Sequence, residues 1–140
     1  MGLDMYLNAN RFYWFNEEPL KVAEVPNGYK VKEVTVEVAY WRKANAIHQW
    51  FVDNVQNGDD DCDAYSVGRG ELEKLVDICQ QVLADPSKAK DLLPTADGFF
   101  FGSTEYDEWY VSALQETVDQ VSEALASFND QWRFEYRSSW

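Results

Sequence analysis

From Thr104 to Phe128 the side chains Tyr110, Ala113, Leu114, Val118, Val121, Leu125 and Phe128 recur at helical spacing. At about 100° per residue this predicts one long helix with a single apolar stripe, which must be covered by another layer of the fold. Glu105, Glu108, Glu116, Asp119 and Glu123 project from the opposite side. Helices usually intersperse lysine four residues on, recovering a few tenths of a kcal/mol per pair. None does so here, so the polar side of the helix becomes an acidic ridge.

The layer that covers such a helix is legible elsewhere. Gly2–Asn8 alternates Leu3, Met5 and Leu7 against Asp4, Tyr6 and Asn8, a half-buried strand that Arg11–Phe15 extends or pairs with. Asn16–Gly28, with Pro19, Pro26 and Asn27-Gly28, reads as a connection ending in a turn. Tyr29–Trp41 alternates Val34, Val36, Val38 and Tyr40 against Glu33, Thr35, Glu37 and Ala39. Amphipathic helices follow at Lys43–Gln56 and Arg69–Ala84, with a short strand at Tyr65–Val67 between them. A helical turn is expected near Leu93-Pro94, a buried strand at Gly98–Phe101, and a last strand at Gln131–Trp140. This order predicts a single α+β domain over residues 1–140, with a mixed sheet of four to five strands covered by three main helices.

Charge narrows the function classes. The net charge is −13, yet residues 1–50 hold six acids and six bases, whereas residues 51–130 hold eighteen acids and four bases. Phosphate neutralisation over most of the surface is therefore excluded, and with it direct nucleic-acid binding. An acidic region favours a basic partner or simple solubility. No stretch approaches the roughly 18 apolar residues of a membrane span, and the opening MGLDMYLNANRFYWF lacks the basic start and continuous apolar run of a signal peptide. Cys62 and Cys79 have no metal-type or redox spacing; Cys79 falls on the stripe of Leu72, Leu75, Val76 and Val82 as a small core residue. No disulfide framework is indicated, which suits a reducing cytoplasm.

Two segments carry the candidate chemistry. In Trp41–Phe51, Arg42 and Lys43 stand at the first turn of a helix whose dipole they oppose, so an anion there would be compensating. The chain's one histidine, His48, lies a turn after Asn45. In Gly98–Glu108, a Gly-to-Ser/Thr turn opens a helix, but Glu105, Asp107 and Glu108 would repel phosphate, and Thr104 with Asp107 resembles a capping box. If the two segments meet, Trp41, Arg42, Asn45, His48, Ser103, Thr104, Tyr106 and Asp107 would line a pocket for a small, nucleotide-like ligand. A His48–Asp107 pair would then be a general base, although no nucleophile stands at a recognisable spacing. The acidic run Asp59–Asp63 fails as an EF-hand, with Val55 and Ala64 at ligand positions. No metal site, cofactor motif or catalytic motif is recognised.

At MGLDMYL, YWRKANAIHQWFV, GFFFGSTEYDEWY and the closing SSW, the chain resembles a family of small proteins encoded by tailed bacteriophages and their prophages. The resemblance implies a setting, the cytoplasm of an infected bacterium, and brings no mechanism. It suggests an inhibitor of a host or anti-phage defence component, docking Glu105, Glu108, Glu116, Asp119 and Glu123 on a basic surface. Glu71, Glu73 and Asp77 would contribute secondarily, in the manner of a nucleic-acid mimic. The small-ligand pocket is the alternative, a hydrolase using His48 and Asp107 the third reading, and self-association stays open.

Overall fold

The computed structural model describes residues 2–18, 20–98 and 102–140. Its elements are β1 (Asp4–Phe12), β2 (Glu33–Arg42), α1 (Asn45–Asn54), β3 (Tyr65–Val67), α2 (Arg69–Ala84), a 3-10 turn at Pro86–Lys88, the short α3 (Ala89–Leu92), α4 (Glu108–Ser127) and β4 (Arg133–Ser139). The result is an α+β fold with one four-stranded sheet in the order β2-β1-β4-β3.

The sheet is antiparallel at each of its three pairings, not mixed as the element order suggested. Two long helices lie between β3 and β4, so the chain returns to the end it left and β4 runs against β3. Arg69 marks that return. Standing at the start of α2, it donates to the carbonyls of Phe128 (2.7 Å) and Leu125 (2.6 Å) at the end of α4, so α2 and α4 are antiparallel neighbours. Its guanidinium also sits over the Phe134 ring at the start of β4, at 5.6 Å.

Alternation decides which face of the sheet is covered. Leu3, Met5, Leu7 and Ala9 are fully buried together with Phe134 and Tyr136 of β4, while Asp4, Tyr6, Asn8 and Asn10 point to the open face. Leu72, Leu75, Val76, Cys79 and Val82 of α2 and Tyr110, Leu114, Val121 and Ala124 of α4 complete the core. Phe51 of α1 stacks on Tyr136 with ring centroids 3.8 Å apart. Burial pushes the Cys79 thiol up to about 12, as befits an inert core residue.

In β2 the expected alternation breaks. The register with β1 shifts between Leu7 and Asn8, passing over Val38. This bulge inverts the strand's phase. Ala39 and Trp41 turn into the core, and Tyr40, expected among the valines, faces outward. The strand also starts at Glu33 rather than Tyr29, whose side chain is exposed. The strand expected at Gly98–Phe101 falls largely on residues 99–101, outside the described residues. Among the described residues no helix is long and apolar enough to cross a membrane.

Candidate ligand-binding cavity

The two segments singled out in the sequence do meet. Asn45, at the start of α1, donates from Nδ2 to the Ser103 carbonyl (2.7 Å) and accepts at Oδ1 from the Ala96 amide (3.0 Å). Thr95 closes the same connection, its hydroxyl donating to the Thr104 carbonyl (2.8 Å) and its amide to the Tyr106 hydroxyl (3.1 Å). Between this connection, the end of β2, the start of α1 and the first half of α4 lies a cavity of about 820 Å³.

Lys43 forms the corner. It takes a left-handed backbone conformation, φ 55°, which a side-chain-bearing residue adopts at a cost of about 1–2 kcal/mol. Its amide donates to the Leu3 carbonyl at 2.7 Å. Its aliphatic stem passes between two glycines: a Cβ on Gly2 would stand 3.1 Å from Lys43 Cε, and one on Gly102 only 3.2 Å from Lys43 Cβ. Gly102 has φ +87° besides, so both the space and the backbone there require glycine. Among the described residues the Lys43 ammonium has neither an ion pair nor a hydrogen bond, and the side chain is exposed.

Around Lys43 the lining is chemically mixed. Arg42 lines the cavity while pairing with Asp4 at 2.9 Å. The Tyr40 hydroxyl donates to the same carboxylate, and this bond, with the Arg42 charge beside it, holds Asp4 below the usual carboxylate range. The first turn of α1 has no side-chain cap and no acid, and Ala46 and Ile47 of that turn line the cavity. Glu105, Asp107 and Glu116 are acids of the lining, and Trp109 is its exposed aromatic residue; Tyr40 also borders the cavity, with its ring against Tyr6.

Of the eight predicted pocket residues, Arg42, Asn45, Ser103 and Asp107 line the cavity, while Thr104 and Tyr106 brace its wall through Thr95. Trp41 does not take part. It is 1% exposed, packs edge-on to Phe51 and donates to the Thr117 hydroxyl at 2.8 Å, because the β2 bulge turned it inward. Asp107 is the N-cap of α4, accepting from the amides of Trp109 (3.1 Å) and Tyr110 (3.2 Å). The helix therefore starts at Glu108, and the cap expected at Thr104 is not formed.

His48 lies in the core, away from the cavity. Its Nδ1 stands 2.7 Å from the Tyr136 hydroxyl and its Nε2 2.9 Å from Asp60 Oδ1, which also accepts from the Trp140 indole at 3.0 Å. Since an ionised carboxylate only accepts, Nε2 carries the proton and Nδ1 accepts from Tyr136. Burial lowers the His48 pKa against the opposing pull of Asp60, and burial also holds Tyr136 protonated, so the chain runs Tyr136 to His48 to Asp60. The expected His48–Asp107 pair is thus overturned, since each member is committed elsewhere. The acidic loop contributes Asp60 to this core network.

Four of the five acids expected on the helix stand on it. Glu108, Glu116, Asp119 and Glu123 are exposed along α4, and Glu105 precedes the helix in a bend. Asp119 accepts from Gln115 and Glu123 from Ser127. Among the described residues no lysine or arginine pairs with any of the five. Glu73 and Asp77 of α2 are also exposed, Glu71 partly so.

Tyr40, hidden by the bulge, Trp109, which stands off the apolar stripe, and Thr95 and Gln120 are among the cavity residues that escaped the sequence reading; Lys43 was read as a cation for an anion but not as the corner. An exposed tryptophan one residue from the stripe was the available signal. Among the described residues no group of three or more His, Cys, Asp and Glu side chains is placed to hold a metal ion. No protein-family model, curated protein or solved structure matches the chain.

Proposed function

We propose that this protein binds a small anionic ligand in the cavity between α1, α4 and the end of β2, holding it rather than transforming it. The observation that carries the reading is Lys43: a strained cation, unpaired among the described residues, whose stem is clasped between two glycines at a cavity of about 820 Å³. Backbone strain persists where the surroundings over-determine it, and it clusters at binding sites. The volume falls within the roughly 300–1,000 Å³ of small-molecule pockets. Titration calorimetry with pyrophosphate and with nucleotides tests the reading. Binding should appear in this set and weaken at least tenfold in Lys43→Ala. Equal affinity in wild type and Lys43→Ala would remove the proposed site.

A second reading rests on a separate observation, the exposed acids of α4, which have no basic partners among the described residues. In it, a phage-encoded protein docks Glu108, Glu116, Asp119 and Glu123, with Glu105 at their end, on the basic surface of a host or defence component. The two readings are compatible, since sequestering a small signal is also a way to disarm a defence. Docking predicts steep salt dependence. Capture of a partner that survives Glu108→Lys combined with Asp119→Lys would dismiss the helix from the account.

A further inference from the structure

We infer that the ligand of this cavity is a nucleotide, with its phosphate at Lys43 and its base against Trp109. The inference rests on the anion-binding reading above and adds the chemical class. Three features of the lining select it together.

The first is size. A free phosphate or pyrophosphate would leave most of about 820 Å³ filled with water, whereas a nucleotide matches the span of such pockets. The second is aromatic surface. Trp109 lines the cavity and is 75% exposed, whereas the Tyr40 ring packs against Tyr6 and bonds Asp4 on the open face of the sheet. A planar base offers a π-face to an exposed indole whatever its edge pattern. The third is the sign of the charge. Glu105 and Glu116 face the same space as Lys43 and Arg42. A plain polyanion would be repelled by those carboxylates, and an apolar acid would leave them without donors. A nucleotide has anionic oxygens at one end and, away from them, ribose hydroxyls and exocyclic amines that donate to carboxylates.

Calorimetry on the full chain with pyrophosphate, ribose 5-phosphate, the four ribonucleoside 5′-mono- and diphosphates, and cyclic dinucleotides of adenine and guanine separates the outcomes. At least one nucleotide is expected to bind tenfold or more tightly than ribose 5-phosphate. Trp109→Ala should erase that advantage, and Trp109→Phe should restore part of it. Because Trp109 is exposed, both variants should keep the wild-type unfolding midpoint. If pyrophosphate and ribose 5-phosphate bind as tightly as every nucleotide, the anion site stands and the nucleotide inference falls. If nothing in the set binds, both fall.

Discussion

The side-chain amide of Gln120 pairs with both backbone groups of Tyr40: its Oε1 accepts from the Tyr40 amide at 2.9 Å and its Nε2 donates to the Tyr40 carbonyl at 3.1 Å. β2 is an edge strand, and here a helix side chain stands in for the missing neighbour. The contact also fixes α4 against β2 beside the cavity, which Gln120 and Tyr40 both line. Gln120→Ala should cost about 1 kcal/mol for the lost pair and weaken ligand binding. Gln120→Glu should do worse at neutral pH, because a carboxylate would then face the Tyr40 carbonyl. Urea denaturation of the two variants side by side checks the order.

Lys43 offers a test of strain kept for function. Lys43→Gly removes the left-handed penalty of about 1–2 kcal/mol and adds about 0.5–1 kcal/mol of unfolded-chain entropy. The variant should therefore be as stable as wild type or up to about 1.5 kcal/mol more stable, while binding nucleotide at least tenfold less well. A Lys43→Gly protein that is clearly less stable would mean the strain has been misread.

Arg69 should matter more than its half-buried position suggests. Its guanidinium satisfies the carbonyls of Leu125 and Phe128 at the negative end of the α4 dipole and covers the Phe134 ring. Arg69→Ala should cost about 1.5–3 kcal/mol, the range for hydrogen bonds to a charged group. Arg69→Lys should recover only part, since one ammonium lacks the planar fork that reaches both carbonyls. Hydrogen exchange should show the last turn of α4 opening first.

The buried Tyr136–His48–Asp60 chain predicts an acid limb of stability near neutrality. Burial holds the His48 pKa below its ordinary 6.5, so between those two values the unfolded chain binds a proton that the folded chain refuses. Stability is therefore complete above about pH 6.5 and falls as the pH drops through the folded value, with a slope of at most about 1.4 kcal/mol per pH unit. Tyr136→Phe leaves Nδ1 without its donor and should cost about 1–3 kcal/mol. Unfolding midpoints from pH 7.5 to 4.5 should fall in wild type and fall less steeply in His48→Gln. Parallel curves would place the acid sensitivity on other groups.

Along α4, Glu116 and Asp119 are three apart and Asp119 and Glu123 four apart, so like charges crowd one ridge. Asp119→Lys should stabilise the protein by about 0.5 kcal/mol at low salt, an effect that fades near 1 M salt as screening shortens to about 3 Å. A stability gain together with lost partner capture would indicate that the repulsion is retained for docking.

Much of the fold was legible because its elements announce themselves through period. Tyr65–Val67 and Arg69–Ala84 stand where the pattern put them, and the buried set of β4 follows its alternation. The phase of β2 was not legible, since the bulge opposite Leu7 and Asn8 exists only against β1. For the same reason Trp41, read as pocket wall, is core. The partner of His48 was equally hidden: Asp107 was within imaginable reach, but Asp60, in the acidic run that fails as an EF-hand, holds the ring.

What the chain alone determined is local: which stretches coil or extend, which side of each is apolar, and that α4 carries uncompensated acids. These follow from side-chain spacing and need no partner element. Tertiary structure decided the direction of β4, the inward turn of Trp41, the commitment of His48 to the core and the joining of Asn45 to Ser103. Each of those depends on the register or approach of segments far apart in sequence, and pairing of that kind leaves no periodic trace in the residues that make it.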